Sequence, residues 1–420
     1  MNWLTGILHF LILPACFAAT AQLGRDGLLR SSDVPGNAIV CLDGTNALPS
    51  SPTNWPALRN YYTEPKPGLV ISTGLTNPTG FFRLRVFDLN GTNGFSNFVT
   101  AYSTLTTVAG AGGATGSGVN KWQAGFENGP ATNAQLSRPH IALSDDAGNI
   151  YIADKDAHGI RKVRPDGTIV TVAGTSVAGN GPDYPTNATS VALNQPNGLW
   201  VEGDGTFYIL DLANFKVRKV DTNGMARTLF VDGGLVTGRG LWVGGSGTFA
   251  YYCAGTVLRK WTLLSGVTDY VTGFSDLGNI SQDALYATDR GAHRVYRIVN
   301  PEVKVLIAGN GATGPGIDGT NALNCPLDQV RGVWALPGGQ YLLATDNGSQ
   351  IWYVDNDQKI HLLVNGSSLN TSHSGDGSYF YQPAALKVSK VRQVTLDREG
   401  NILITEHDAG YVRRIRFLPR

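Results

Sequence analysis

One position in a repeated sequence pattern carries three arginines, the residue type best suited to bind an anion. The residues that open the six copies of the pattern are His140, Asn197, Arg239, Ser275, Arg331 and Arg392. A guanidinium group presents parallel N–H donors that bind a carboxylate, phosphate or sulfate bidentately. Three arginines at one repeated position are unexpected in a chain whose net charge is only +1. We therefore predict a ligand-binding site formed by Arg239, Arg331, Arg392, His140 and Asn197.

A second repeated position, at the end of the strand that follows, holds mostly acidic residues. Its members are Asp154, Asp211, Cys253, Asp289, Thr345 (with Asp346 next to it) and Glu406. Structural ion pairs are commoner than ligand sites, so we expect the two sets to neutralise each other. The expected pairs are Arg392 with Glu406, Arg331 with Asp346, and His140 with Asp154. Arg239 faces Cys253 instead of a carboxylate, which makes Arg239 the strongest candidate for binding an anion.

The cysteines allow a second hypothesis. A thiol beside Arg239 could have a lowered pKa and be reactive, although a small buried side chain or half of a disulfide is the commoner role. The mature chain would keep Cys41, Cys253 and Cys325, which are too few and too far apart to form a disulfide framework.

The histidines could suggest a metal site, because imidazole suits zinc. His158 and His293 occupy equivalent loop positions, and His407 lies in the sixth copy. Equivalent positions of different copies are separated in space, so we expect no metal cofactor. The alternative is a calcium or zinc ion held by Asn197, Asp211 and His140.

The two positions belong to a pattern that recurs six times from residue 140. Each copy has an apolar strand, a Gly-containing turn and a second strand, as in "HIALSDDAGNIYIAD". A third strand follows, as in "GIRKV", and the first five copies add a fourth, as in "TIVTVAG". Four strands per copy predict the blades of a β-propeller.

The sixth copy ends one strand short. The segment "TLTTVAG" at 104–110 is nearly identical to the fourth strand "TIVTVAG" at 168–174. We therefore predict an all-β, six-bladed propeller of four-stranded blades, whose ring is closed by an N-terminal strand that completes the last blade.

Three copies, "GNIYIADKDAHGIRKV", "TFYILDLANFKVRKV" and "ALYATDRGAHRVYRI", resemble NHL-repeat propellers. The residues that match the Asn-His-Leu signature begin at Ala157, Ala213 and Ala292, and His158 and His293 fall on the structural histidine of the family. The resemblance covers roughly residues 104–420 and implies the architecture. It does not specify an activity, because such propellers serve as scaffolds, RNA binders, lyases and lactonases.

The first 103 residues differ in composition. "MNWLTGILHFLILPACFAATAQ" is typical of a secretory signal cleaved after Ala21, although "LPAC" could instead be a lipoprotein box with Cys16 lipidated. Residues 22–103 are predicted to form a linker and a small β module, with strands at "GLVIST" and "GFFRLRVFD". No later segment reaches the roughly 20 apolar residues needed to span a membrane. We therefore predict a signal peptide at 1–21, the module at 22–103 and the propeller at 104–420, in a protein that is secreted, periplasmic or on the cell surface.

The long insertions should form a binding face, because all of them join a fourth strand to the next first strand. They are 111–139, 175–196, 310–330 and 367–391. Aromatic residues in these insertions could stack against a carbohydrate or peptide. They are Trp122, Phe126, Tyr184, Tyr379, Phe380 and Tyr381. By contrast, Trp200, Trp242 and Trp334 recur at one strand position, and we expect them to pack in the core.

These observations favour a monomeric binding or scaffold module whose partner is an anionic small molecule, a glycan or a peptide. A net charge of +1 argues against nucleic acid, which would require a broad basic face. Catalysis is not expected, because no nucleophile and base share a local motif. The alternative function, implied by the resemblance, is a metal-dependent hydrolase or lyase similar to propeller lactonases or amidoglycolate lyases. A purely structural cell-surface role is the third hypothesis.

Overall fold

The protein was analysed as a computed structural model. The structure describes residues 22–23, 28–45, 57–63, 68–72, 81–113, 116–282, 286–366, 374–378, 380 and 387–417. The predicted signal sequence at 1–21 and the loop residues Tyr379 and Tyr381 lie outside the described residues. None of the described helices is long and apolar enough to cross a membrane.

The N-terminal region folds into two small antiparallel sheets and one helix. Its elements are β1 (Gln22–Leu23), β2 (Leu28–Ser31), β3 (Ala38–Thr45), β4 (Ala57–Tyr62), β5 (Leu69–Ser72), β6 (Phe81–Asp88) and α1 (Gly94–Thr100). One sheet has the order β1-β2-β5 and the other β4-β3-β6. The two strands predicted here correspond to β5 and β6.

From residue 102 onward, the described residues form six antiparallel sheets of four long strands each, which we call sheets I to VI. Two strands precede them, β7 (Tyr102–Ala109) and the two-residue β8 (Gly129–Pro130). Sheet I contains β9 (Pro139–Ser144), β10 (Ile150–Asp154), β11 (Gly159–Val163) and β12 (Thr168–Ala173), with β8 added at its edge. Sheet II contains the edge strand β13 (Thr186–Asn187), then β14 (Pro196–Val201), β15 (Phe207–Asp211), β16 (Lys216–Val220) and β17 (Met225–Val231).

The remaining sheets follow the same order. Sheet III contains β18 (Leu241–Gly244), β19 (Phe249–Ala254), β20 (Val257–Thr262) and β21 (Gly266–Val271). Sheet IV contains β22 (Leu277–Ile280), β23 (Tyr286–Asp289), β24 (Arg294–Asn300) and β25 (Val303–Ala308). Sheet V contains β26 (Val330–Ala335), β27 (Tyr341–Thr345), β28 (Gln350–Val354) and β29 (Ile360–Val364). Sheet VI contains β30 (Val391–Leu396), β31 (Ile402–Glu406), β32 (Tyr411–Phe417) and, at its outer edge, β7.

Strand β7 therefore occupies the place where the sequence lacks a strand. It pairs antiparallel with β32, with Ala109 opposite Val412 and Leu105 opposite Ile415. Both Leu105 and Ile415 are fully buried. The pairing joins the N-terminal side of the propeller segment to its C-terminal strand and covers a sheet edge that would otherwise expose unpaired backbone groups.

The first strand of each sheet contacts the first strand of the next. Strand β9 contacts β14, β14 contacts β18, β18 contacts β22, β22 contacts β26, β26 contacts β30, and β30 contacts β9. The middle strands are buried on both faces, as β10 and β15 show along their whole length. The apolar residues of each sheet thus pack against neighbouring sheets, which is why the strands are rich in Ile, Leu, Val and Tyr on both faces.

The N-terminal region packs against sheets V and VI. The ring of Phe98 in α1 stacks on Tyr353 with centroids 4.3 Å apart, and Tyr102 stacks on Phe417 at 4.4 Å. Buried Ile39 of β3 belongs to the same apolar cluster as these rings. The region therefore shares its core with the sheets.

Candidate functional site

The entry of each first strand lies beside the end of the second strand, so the two repeated positions meet at one end of the sheets. We call this end the long-loop face, because the long insertions leave and enter here. His140, Asn197, Arg331 and Arg392 are each the second residue of their strand. The residues before them pair with the ends of the second strands, as Pro139 does with Asp154.

Two copies depart from the predicted alignment. In sheet III, Trp242 lies opposite Tyr251, one residue further along than the equivalent pair in sheet II, so Ala254 and not Cys253 ends the second strand at this position. In sheet IV, Leu277 pairs with Asp289, which gives Gly278 the place predicted for Ser275. The backbone N–H of Ser275 instead donates to Asp289 at 2.8 Å.

The carboxylates that end the second strands are used within their own sheets. Asp154 lies 3.4 Å from Arg161, Asp211 lies 2.8 Å from Arg218, and Glu406 lies 3.6 Å from Arg413. All six side chains in these pairs are fully buried. The predicted pairs of His140 with Asp154 and of Arg392 with Glu406 are therefore wrong. The reason is that these carboxylates point along the sheet to an arginine on the third strand.

The predicted pair of Arg331 and Asp346 is present, with Nη2 of Arg331 2.9 Å from Oδ2 of Asp346. Arg392 also approaches Asp346, at 3.9 Å, and its Nη2 lies 3.2 Å from Nδ1 of His407. Asp346 directly follows the second strand, so the carboxylate that contacts Arg331 and Arg392 comes from the residue after the strand and not from the last strand residue. Burial raises the pKa of Asp346, while the adjacent Arg331 acts in the opposite direction.

Arg239 has a distant carboxylate partner that the sequence did not predict. Its Nη1 lies 3.6 Å from Oδ1 of Asp276, and Asp276 also binds Arg290. Nε and Nη1 of Arg239 have no hydrogen-bond partner among the described residues, although both atoms are buried. Burial lowers the pKa of this guanidinium. Arg239 thus keeps most of its donor capacity for another molecule.

Cys253 does not have the lowered pKa that its proximity to Arg239 suggested. The side chain is fully buried, and burial raises the thiol pKa to about 12, outweighing the attraction of the arginine. Cys325 is likewise a buried thiol with a raised pKa. We conclude that both are packing residues, because only a thiolate is a strong nucleophile.

His140 and His407 form a buried pair at the centre of the site. Their rings are 4.5 Å apart at an angle of 69°. Burial lowers the pKa of both histidines well below the ordinary value, and Arg239, Arg331 and Lys155 contribute to the effect on each. Nε2 of each ring has no hydrogen-bond partner in the described chain. Two neutral imidazoles with unused nitrogens therefore lie among the arginines.

Further cations extend the site. Arg138 lies 3.5 Å from Asp156 and 3.2 Å from Asp408, and Lys155 lies 3.4 Å from Asp156. We define the cationic cluster by its six members, Arg138, Lys155, Arg239, Arg290, Arg331 and Arg392. Four carboxylates accompany them, Asp156, Asp276, Asp346 and Asp408. Positive charge is thus in excess where the whole chain is nearly neutral.

Sequence reasoning missed Arg138, Lys155 and Arg290. Lys155 and Arg290 directly follow the aspartates that end their second strands, the same place that Asp346 and His407 occupy in sheets V and VI. Aligning the residue after the second strand, in addition to its last residue, would have identified these side chains.

Two members of the alternative metal set, Asp211 and Asn197, are engaged in hydrogen bonds within the protein. The carboxylate of Asp211 accepts hydrogen bonds from Arg218, Asn214 and the backbone N–H of Asn194. The amide of Asn197 donates to the carbonyl of Gly238 at 2.6 Å. Within the described ranges, no three His, Cys, Asp or Glu side chains are close enough to hold a metal ion together.

His158 and His293 link neighbouring sheets. Nδ1 of His158 accepts the backbone N–H of Gln195 at 3.2 Å, and Nδ1 of His293 accepts that of Gln329 at 2.9 Å. Both residues adopt positive φ angles, 48° and 56°. They are therefore bonded to the loop that enters the next sheet.

The loop aromatics have different environments. Trp122 covers the guanidinium of Arg161 at 3.9 Å and packs against Phe126, so it is part of sheet I and does not form a free stacking surface. Phe380 is fully buried. Tyr184 is 70% exposed and remains available to a partner.

The three recurring tryptophans, Trp200, Trp242 and Trp334, pack against the apolar clusters of the sheets. Trp200 and Trp242 meet edge to face with centroids 6.4 Å apart. Trp334 packs against apolar residues of sheets V and VI and also against those of sheets I and II. Each of the three rings is half-buried and packs against the apolar core of the sheets.

The comparisons with known proteins identify the fold. No protein-family model matches the chain. The protein SUPPRESSOR OF QUENCHING 1, chloroplastic, from Arabidopsis thaliana is 31% identical over 105 residues, which are 25% of this chain and 10% of that protein. The chain thus matches about a tenth of the length of this curated relative.

Two solved structures resemble most of the chain. A protein of unknown function from Bacteroides thetaiotaomicron has a TM-score of 0.59 and 12% identity, and the match covers 93% of both chains. An auxiliary nutrient binding protein from Bacteroides ovatus has a TM-score of 0.55 and 11% identity, covering 91% of this chain and 94% of that one. Together with the four-stranded sheets, these likenesses show a β-propeller fold. At such low identity they show the fold alone.

Proposed function

We propose that this chain is an exported, NHL-type propeller of six blades that binds a small anionic molecule at the cationic cluster. The six sheets would be the blades, and the contact of β30 with β9 would close the ring. The ligand would carry a carboxylate, phosphate or sulfate group, which is the chemistry that a guanidinium binds best.

The observation that carries this proposal is the set of unused donors on buried arginines. Arg239, Arg331 and Arg392 each have buried Nε and Nη1 atoms without a hydrogen-bond partner among the described residues. Leaving a buried donor unsatisfied costs about 1–3 kcal/mol, and more when it is charged. A bound anion would satisfy several of these donors at once and would balance the excess positive charge.

The burial of the arginines limits the size of the group that can reach them. Only 6% of the Arg331 side chain is exposed, so the ligand must present a small anionic group in order to reach it. This favours a small anion, or the charged end of a larger molecule, over a neutral glycan.

The test is isothermal titration calorimetry of the purified protein with sulfate, phosphate and succinate at constant ionic strength. We expect saturable binding of at least one anion. Arg239→Gln should weaken it by about 1.5–3 kcal/mol, the contribution of hydrogen bonds to a charged group, or roughly 10- to 100-fold in Kd. This substitution leaves Asp276 paired with Arg290, so the fold should tolerate it.

Arg227→Gln is the matched control, because Arg227 lies exposed on the outer strand β17. It should bind the anion like the wild type. The proposal would be overturned if no anion bound saturably, or if Arg239→Gln and Arg227→Gln bound it equally well.

A further inference from the structure

A cavity lies at the opposite end of the sheets from the cationic cluster, at what we call the turn face because the tight turns between first and second strands lie there. Its volume is about 390 Å³, within the ~300–1,000 Å³ range of small-molecule sites. The walls come from the last one or two residues of four first strands, including Ser144, Trp200, Trp334 and Leu396, and Tyr61 of β4 also lines the cavity. The N-terminal region therefore helps to build it.

This cavity is distinct from the cationic cluster. Ser144, in the cavity wall, lies four residues along β9 from His140, in the cluster, which is about 13 Å at ~3.3 Å per residue. A ligand at the turn face would not reach the arginines.

The lining is mainly apolar and aromatic. Rings of Tyr61, Trp200 and Trp334 contribute to it, together with Leu396. Asp397 at the same place is buried, and burial raises the pKa of its carboxyl to about 6. Such surroundings disfavour a charged ligand, because removing a charge from water into apolar surroundings is costly.

The side-chain oxygens of Gln282 and Asp397, which line the cavity, already accept hydrogen bonds from within the protein. The amide of Gln282 exchanges hydrogen bonds with the backbone of Ala335 in both directions, and the carboxylate of Asp397 accepts from Asn401. A sugar, whose hydroxyl groups need acceptors, would leave donors unsatisfied here.

Donors remain. Oγ of Ser144 accepts the backbone N–H of Arg398 at 2.7 Å, which leaves its own proton to donate. Arg398 is 40% exposed at the rim and is balanced by Asp146 at 3.7 Å.

We propose that the turn-face cavity binds a neutral, planar aromatic molecule bearing a carbonyl or ether oxygen. The ring system would lie against Trp334 and Trp200, where stacking and apolar burial favour it. Its oxygen would accept a hydrogen bond from the hydroxyl of Ser144. This site is independent of the anion site.

The experiment is calorimetric titration of the full-length mature protein with coumarin, a neutral planar ring with a carbonyl acceptor, and with methyl glucoside for comparison. We expect coumarin to bind saturably with one site per chain, and methyl glucoside not to bind. Leu396→Trp should abolish binding by filling the cavity, and Trp334→Leu should weaken it at least tenfold by removing the stacking surface.

Trp242→Leu is the matched control, because Trp242 has the same repeat position but stacks on Tyr251 outside the cavity lining. It should bind coumarin like the wild type, as should Arg239→Gln. If Leu396→Trp does not fold, as judged by circular dichroism, the comparison of Trp334→Leu with Trp242→Leu decides. Absence of saturable coumarin binding, preference for the glucoside, or equal binding by Trp334→Leu and Trp242→Leu would each overturn the proposal.

Discussion

Lowering the pH should reduce the free energy of unfolding, because His140 and His407 are buried as neutral imidazoles. Burial and nearby cations keep the pKa of His140 and His407 well below 6.5 in the folded state, whereas the unfolded chain takes up a proton at each near pH 6.5. The unfolded state then binds more protons than the folded state, so the free energy of unfolding falls as the pH drops through 6.5. Between pH 7.5 and 5.5 the loss should be about 1.4 kcal/mol per histidine and about twice that for the pair.

Urea denaturation at the two pH values measures this loss, and a variant isolates it. Asp154 and Asp397 act in the opposite direction, because burial raises the pKa of each carboxyl to about 6 and the folded state therefore takes up their protons first. These contributions are common to wild type and His407→Gln, so they cancel in the comparison. The variant should lose about 1.4 kcal/mol less than the wild type over this range. An equal loss in both proteins would refute the assignment of His407 to a buried cationic environment.

Three further predictions test the fold and the thiols. Arg218→Met removes the partner of a fully buried carboxylate and should lower the free energy of unfolding by about 3–5 kcal/mol, against about 0.5 kcal/mol or less for exposed Arg227→Met; a loss below 1 kcal/mol, as a rough threshold, would contradict the buried pair. Leu105→Ala in β7 should cost about 2–5 kcal/mol in urea denaturation, whereas Leu264→Ala, at a side chain that is 97% exposed, should cost little; equal effects would show that β7 is not packed in sheet VI. Iodoacetamide at about pH 8 should label Cys253 only after unfolding, since burial raises its pKa to about 12, and rapid labelling of the native protein would contradict this.

The strand pattern was predictable because the middle strands are buried on both faces and several copies turn on a glycine with positive φ. Gly148, Gly205 and Gly400 occupy such turns, with φ of 81°, 89° and 81°. The missing strand of the last copy could also be predicted, because β7 repeats the sequence of β12 almost letter for letter. These signals are local in the sequence and need no knowledge of the partner sheets.

The site was less predictable, because it depends on a single residue of register. A shift of one residue in a strand moves every side chain to the other face. The sequences "VEGDGTFY" and "VGGSGTFA" align without a gap, yet the second strand of sheet III is displaced by one residue relative to that of sheet II. The same sensitivity explains why Glu406 faces Arg413 while its neighbour His407 contacts His140. Repeat alignment locates the site but does not assign the partners within it.

The cationic cluster is energetically costly for the folded protein in the absence of a bound anion. Burial works against the charge of Arg239, Arg290 and Arg331, and Arg239 further disfavours the charge of Arg290 and Arg331. Such a group of like charges lowers the stability of the empty protein, and hydrophobic residues of similar volume would pack there at less cost. Binding an anion to the folded state alone would reverse this penalty, by about 2.7 kcal/mol at a free concentration 100-fold above Kd. The proposed function thus requires that the anion which binds at the long-loop face also raises the melting temperature, and that Arg239→Gln reduces both effects together.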